Sequence, residues 1–257
     1  MPTASERTGS PPRIIVVMPA YNAAQTLERT YADIPAHLVD HVILVDDLSR
    51  DETVDVARRL NLEVHTHRQN RGYGGNQKTC YAAALAAGAD VVVMLHPDYQ
   101  YDGSRIPDLV APIIAGRADM VLGSRFLGDP LAGGMPRWKF LSNRFLTTVE
   151  NLAFGLRLSE YHTGFRAYSR GLLERIPLER NSDDFVFDQE VVAQVVAAGM
   201  RIEEVAVPTR YFAEASSVGF RRSVVYGLST LRVVARFTLH RIGLRRSAKL
   251  TSRENAG

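Results

Sequence analysis

The residues best suited by type and spacing to do chemistry are His96, Asp98 and Gln100, within His96-Pro97-Asp98-Tyr99-Gln100. The run before them, Val91-Val92-Val93-Met94-Leu95, is apolar throughout, as in a strand buried on both faces. Asp98 therefore falls where a strand ends and a loop begins. In open α/β sheets the ligand crevice lies outside the carboxyl ends of the strands. A carboxylate there, flanked by an imidazole and a carboxamide, has the donor atoms to hold a hard divalent cation against phosphate oxygens. Asp after Pro is also ordinary turn chemistry, and on its own the segment does not choose between the two.

A second candidate is the glycine cluster Gly72, Gly74 and Gly75, which precedes an Ala-rich helical stretch over 75–87 that stops at Gly88. Backbone N–H groups at a helix start can face a diphosphate. Lys78, one turn in, would add a point charge. A tight loop with no ligand and a solvated Lys78 fit the same residues.

The elements that must position these groups alternate along the chain. Ile14-Ile15-Val16-Val17-Met18, His41-Val42-Ile43-Leu44-Val45, Leu62-Glu63-Val64-His65-Thr66, the run at 91–95 and Met120-Val121-Leu122 have the character of strands. Helices over 53–60 and 75–87 lie between them, the first opened by a Ser49/Glu52 capping box. This alternation predicts an α/β fold with a doubly wound, mostly parallel sheet flanked by helices. Its loops at Pro19-Ala20-Tyr21-Asn22 and Asp46-Asp47 should open onto the crevice that receives Asp98. The second half predicts a helix over 138–154, a short strand over 162–169, a helix over 185–198 ended by Gly199, and a strand over 202–207. No linker separates the halves, so the second is expected to complete the first one's site.

At 257 residues the chain can bury one large core. The lone Cys80 excludes an internal disulfide framework and a zinc cluster, and it suits a reducing cytoplasm. The polar stretch 1–12 lacks the apolar core of a signal peptide and is expected to be a disordered leader. The formal net charge of +3 hides an asymmetry: from Arg221 onward nine basic residues face only Glu254, giving +8 there and −5 elsewhere. Such a segment suits an anionic surface, either membrane or nucleic acid.

Taken in order, seven elements resemble the family-two glycosyltransferases of the GT-A fold, in the branch of polyprenyl-phosphate sugar transferases. They are Met18-Pro19-Ala20-Tyr21-Asn22, Val45-Asp46-Asp47-Leu48-Ser49-Arg50-Asp51-Glu52-Thr53, Asn70-Arg71-Gly72-Tyr73-Gly74-Gly75, Asp98-Tyr99-Gln100, Gly123-Ser124-Arg125, Thr163-Gly164-Phe165-Arg166 and Phe187-Asp188-Gln189-Glu190. The resemblance covers residues 13 to 212. It implies inverting transfer of a sugar from a nucleotide diphosphate donor, with Mn²⁺ or Mg²⁺ on the diphosphate. It assigns Pro19, Tyr21 and Asp47 to the base and ribose pocket, with Asn22 on the same donor loop, and Gly72, Gly74 and Lys78 to the phosphates. Asp98 and Gln100 match metal-loop positions, whereas His96 stands where the family usually has the first acid. An imidazole there favours Mn²⁺, provided His96 is a ligand rather than a neighbour. Asp188, with Gly199 eleven residues on, falls on the general-base position. Acids at a helix N-terminus also simply complement its dipole. Arg166 could bind an acceptor phosphate. The region Tyr211-Phe212-Ala213-Glu214-Ala215-Ser216-Ser217 lacks the Arg and Ser-Lys pair of many lipid-phosphate relatives. The acceptor is thus a lipid-linked phosphate or a hydroxyl compound, and an ionised phosphate would hardly need a base.

The basic segment 221–246 predicts one amphipathic helix, with Arg232, Arg236 and His240 on one face. It is too charged to span a bilayer. It suits an interfacial helix, or one packed on the catalytic domain or in a homodimer. Residues 247–257 are expected to be a disordered tail. The resulting expectation is a cytoplasmic glycosyltransferase, peripheral on the inner face of the plasma membrane and active in cell-envelope glycan synthesis. Two rivals remain. A nucleotidyltransferase would carry a Gly-rich loop after the first strand, where this chain has Pro19-Ala20-Tyr21-Asn22. A nucleic-acid binder would need an aromatic-basic motif that is missing here, so no nucleic-acid partner is expected.

Overall fold

The computed structural model describes residues 11–128, 130, 131, 134–210 and 220–253. Its strands are β1 (Ile14–Ala20), β2 (His41–Asp46), β3 (Glu63–Thr66), β4 (Val91–Met94), β5 (Met120–Ser124), β6 (Arg166–Ser169) and β7 (Ile202–Ala206). They form one sheet in the order β3-β2-β1-β4-β6-β5-β7. β6 runs antiparallel to β4 and β5, and the other pairings are parallel. The expected mostly parallel sheet is therefore what forms. β1, near the middle, is buried at all seven positions, which is why it carries an unbroken apolar run.

Successive side chains of a strand point to opposite faces. Ile15 and Val17 accordingly join one core with Tyr81, Phe187 and Phe237, while Ile14, Val16 and Met18 join the other with Leu27, Val56 and Leu109. The helices that supply these cores are α1 (Leu27–Ala32), α2 (Thr53–Arg59), α3 (Gly72–Ala86), α4 (Ile106–Ile114), α5 (Arg137–Phe154), α6 (Arg170–Arg175), α7 (Phe187–Ala197) and α8 (Phe220–Arg241). Three of them escaped the sequence pattern. α1 and α6 are six residues each, and α4 carries Pro112 in its interior.

Some local expectations are corrected. No Ser49/Glu52 capping box forms: Ser49 Oγ accepts the Asn22 amide at 2.8 Å, and Asp51 Oδ1 accepts the Thr53 amide at 3.1 Å. The basic helix ends at Arg241, just before Gly243 at φ +77°. Residues 247–253 are not a disordered tail. A 3₁₀ turn at Ala248–Leu250 buries Leu250, and Lys249 Nζ donates to Glu190 Oε1 at 2.6 Å. The stretch 1–10, the region 211–217 and residues 254–257 lie outside the described residues.

α8 packs with Val233, Val234 and Phe237 inward, and Arg236 pairs with Glu190 of α7 at 3.0 Å. Gly227 of α8 sits opposite Leu146 of α5, and Arg241 Nη1 donates to Ala153 O at 3.2 Å. The two helices thus lie side by side in the same direction. Among the described residues no helix is long and apolar enough to cross a membrane.

Candidate active site

The carboxyl ends of β1, β2 and β4 open into a cavity of about 770 Å³. Pro19, Tyr21, Asp47, Gly72, Tyr73 and His96 line it, together with Arg221, Val225 and Tyr226 from α8. The crevice inferred from strand ends is present, and four predicted donor residues meet there.

Asp47 does more than line the wall. Its Oδ1 accepts from the Arg71 amide at 2.7 Å and contacts His67 Nδ1 at 2.8 Å, and its Oδ2 accepts from the Gly72 amide at 2.9 Å. The carboxylate thus satisfies orphan N–H groups at the start of α3. Glycine is required at 72: φ is +77° and a Cβ would lie 2.7 Å from Asp183 O. The Gly74 amide donates to Asp183 O at 2.7 Å. Both amides are engaged within the protein, which corrects the expected diphosphate cradle. Lys78 Nζ is likewise tied to Asp183 Oδ1 at 2.7 Å and Asn181 O at 2.5 Å, away from the phosphate role expected of it. Asn22 also serves the scaffold. Its Oδ1 accepts from the Arg50 amide at 2.8 Å, holding the first loop against the second, beside a separate shallow depression.

His96 is stacked on Tyr73 with ring centroids 5.3 Å apart and 8° between planes, and Tyr73 is flanked on its other side by Phe185. His96 Nε2 lies 3.2 Å from the Tyr73 hydroxyl, and a Cβ on Gly164 would come within 2.9 Å of His96 Cδ2. Burial lowers the imidazole pKa against the pull of the Asp98 carboxylate, so the ring is held neutral. Asp98 Oδ1 accepts from the Gln100 amide at 3.1 Å. Between them Tyr99 adopts φ +58°, rare for an aromatic residue, with the guanidiniums of Arg29 and Arg210 each 4.2 Å from its ring centroid. Among the described residues no cluster of three His, Cys, Asp or Glu side chains forms a closed cage. A neutral imidazole and one carboxylate fit a cation that takes its remaining oxygens from phosphate and water.

Asp188 is not at the cavity wall. Its Oδ2 accepts from the Tyr73 hydroxyl at 2.8 Å, its Oδ1 accepts from Gln77 Nε2 at 3.2 Å, and Arg166 Nη1 lies 3.4 Å away. Burial, followed by the Asp188 charge, raises the Tyr73 pKa well above the ordinary phenol value, so Tyr73 remains a donor. Arg166, 1 % exposed, also donates to Thr163 O at 2.7 Å and Tyr161 O at 3.0 Å. It is engaged within the protein at every one of these contacts, not turned outward to an acceptor phosphate as expected. Burial opposes its charge, but the adjacent Asp188 holds it protonated. Tyr73, Gln77 and Tyr226 escaped sequence reasoning, because neither their types nor their spacing mark them. Only their contacts do.

The sequence pattern described as glycosyl transferase family 2 matches residues 15–177. The chain belongs to glycosyl transferase family 2. This glycosyltransferase is 26% identical over 215 residues to the UDP-N-acetylglucosamine–dolichyl-phosphate N-acetylglucosaminyltransferase of Methanococcus voltae, covering 77% of this chain and 86% of that one. It is 29% identical over 206 residues to the undecaprenyl-phosphate mannosyltransferase of Micrococcus luteus, with 76% and 82% covered. Its fold is shared by glucosyl-3-phosphoglycerate synthase of Mycobacterium tuberculosis, with a TM-score of 0.69, 22% identity and coverage of 92% and 82%. That synthase has also been crystallised with Mn²⁺ and UDP, a form that matches this glycosyltransferase with a TM-score of 0.64, 20% identity and the same coverage.

Proposed function

We propose that this glycosyltransferase moves a sugar, with inversion, from a nucleoside diphosphate sugar to a lipid-linked phosphate. The observation that carries the reading is the single cavity that joins Pro19, Tyr21, Asp47 and His96 at the strand ends to Arg221 and Tyr226 on α8. The strand-end wall suits the nucleotide, and Asp98, with His96 and Gln100, would hold Mn²⁺ or Mg²⁺. Such a cation neutralises charge on a departing diphosphate. The two named relatives act on dolichyl and undecaprenyl phosphates, and the structurally similar synthase binds UDP with Mn²⁺ or Mg²⁺.

The acceptor chemistry follows from Asp188. A hydroxyl acceptor needs a base within reach, whereas this carboxylate is behind Tyr73 and paired with Arg166. An ionised phosphate needs no such base. Asp188 then acts by orienting the Tyr73 hydroxyl.

A lipid acceptor also suits the outer surface. Trp138, Leu141, Phe145 and Leu152 form an exposed stripe on α5, and Val225, Leu228 and Leu239 on α8, with Ile242 just past its end, form another. Exposed Arg137, Arg144, Arg221 and Arg232 fringe them. Apolar side chains bordered by guanidiniums suit the headgroup region of an anionic bilayer, here its cytoplasmic leaflet. A thermal-shift screen with UDP, GDP and their sugar conjugates, with and without Mn²⁺, tests the donor reading. Stabilisation by at least one nucleotide is expected, and no shift with any of them would sink it.

A further inference from the structure

Behind the α8 wall lies a buried group that the reaction above does not use. Glu150 of α5 is 0 % exposed, and neither carboxylate oxygen has a hydrogen-bond partner among the described residues. His162 Nε2 lies 3.1 Å from Oε2, within ion-pair distance but not aligned as a hydrogen bond, and it too has no hydrogen-bond partner among the described residues. A buried carboxylate favours the ring state that turns a proton-bearing nitrogen towards it. On the far side of the ring, His162 Nδ1 lies 2.9 Å from the Tyr226 hydroxyl and 2.9 Å from Gln189 Nε2. Gln189 Nε2 also donates to the Tyr226 oxygen. Tyr226 in turn faces the cavity.

We propose that Tyr226 is a hydrogen-bond donor to a phosphate oxygen of the acceptor, and that Glu150 and His162 orient its hydroxyl from behind. The inference rests on the lipid-phosphate reading above. The tautomer of an imidazole is set by what its other nitrogen meets. Glu150 places the proton on Nε2 and leaves Nδ1 as an acceptor. Of the three acceptors that Gln189 Nε2 meets, His162 Nδ1 and the Tyr226 oxygen are nearer than Tyr161 O at 3.4 Å, and with the two amide hydrogens directed to them the phenolic proton is left to the cavity. Burial, reinforced by the Glu150 charge, raises the Tyr226 pKa and keeps it a donor at neutral pH. Val225, the preceding residue, is 61 % exposed and lines the cavity as well, so the cavity opens beside Tyr226 onto the apolar surface. A phosphate entering from a lipid meets Tyr226 at that opening. Donor and acceptor both carry phosphate, and the test separates them.

The test is calorimetric titration of the full chain with farnesyl monophosphate and, separately, with UDP and Mn²⁺. Tyr226→Phe should weaken farnesyl phosphate by roughly 10-fold or more and leave UDP unchanged. Glu150→Leu should weaken it similarly, whereas Glu150→Gln, whose carboxamide oxygen keeps an acceptor beside Nε2, should restore it. A merely electrostatic role for Glu150 would not be rescued by Gln. Unchanged farnesyl phosphate affinity in Tyr226→Phe overturns the proposal, and a loss confined to UDP overturns its assignment to the acceptor. Wild-type protein that binds UDP but no prenyl phosphate refutes the lipid-phosphate reading itself, a result distinct from any variant effect. If Glu150→Leu fails to fold, nitrogen-15 spectra of the wild-type histidines decide: an Nε2–H tautomer at His162 supports the chain of contacts, and an Nδ1–H tautomer overturns it.

Discussion

The Tyr73 hydroxyl donates to Asp188 Oδ2 at 2.8 Å and so stands between a buried carboxylate and the cavity. Asp188 is therefore a partner of Arg166 before it is anything else. Asp188→Asn removes the charge facing a guanidinium that is 1 % exposed. Breaking one side of a buried pair destabilises by about 3–5 kcal/mol. Urea unfolding should register a loss of that order while nucleotide affinity, measured calorimetrically, changes little. Full stability in the variant would mean that the Arg166 pairing contributes nothing.

Asp98→Ala tests the cation. Removal of the carboxylate should abolish the Mn²⁺-dependent part of nucleotide binding and leave the weaker metal-free affinity in place. Equal calorimetric affinities for wild type and variant in the presence of Mn²⁺ would remove Asp98 from the metal loop.

The conformation of the same loop gives an unusual stability order. Tyr99 holds φ +58° and is clamped between Arg29 and Arg210. Ala and Gly both lose the clamp, but only Ala retains the left-handed penalty of about 1–2 kcal/mol. Tyr99→Gly should melt above Tyr99→Ala, the reverse of the usual ranking of these residues.

Acid sensitivity should arise in part at Glu160. It is fully buried, and its Oε2 accepts from the Arg125 amide at 2.9 Å while its Oε1 accepts from Asn143 Nδ2 at 2.9 Å. Burial works to raise its pKa, but the Arg125 charge and hydrogen bonds outweigh it and hold it below the ordinary 4.5. A depressed folded-state pKa contributes stability above the unfolded value, lost as pH falls through the folded one. Melting temperature should thus drop below about pH 4.5 in the wild type. Glu160→Gln, less stable at pH 7, should flatten that limb. An unchanged slope in the variant would assign acid sensitivity elsewhere.

The paired stripes on α5 and α8 predict sedimentation with anionic vesicles. Leu141→Asp with Leu228→Asp replaces side chains that are 67 % and 56 % exposed, so folding should be preserved. Binding to phosphatidylglycerol vesicles should fall several-fold, consistent with lost apolar insertion. Binding equal to wild type would redirect this surface to a second copy of the chain.

Much of this was legible along the chain because its causes are local. Strand β1 announces itself through an unbroken β-branched run, and α3 through its alanines and the stop at Gly88. The ordered set of short elements, from Pro19-Ala20-Tyr21-Asn22 to Phe187-Asp188-Gln189-Glu190, carried the family and the GT-A fold. The same reasoning overreached wherever a side chain had a choice of partners. Gly72, Lys78 and Arg166 have the right types to meet phosphate, and each is engaged by the protein itself.

By itself, then, the sequence determined the alternating strands and helices, the crevice at the strand ends, and the basic helix at the far end. These follow from hydrophobic period and turn chemistry, which act over a few residues. Tertiary structure alone decided that Asp188 is behind Tyr73, 115 residues away in sequence, and that Glu150, His162 and Tyr226 form one buried line to the cavity. The physical reason is that a buried polar group must find its partner wherever packing brings one, and no spacing along the chain encodes which partner that will be.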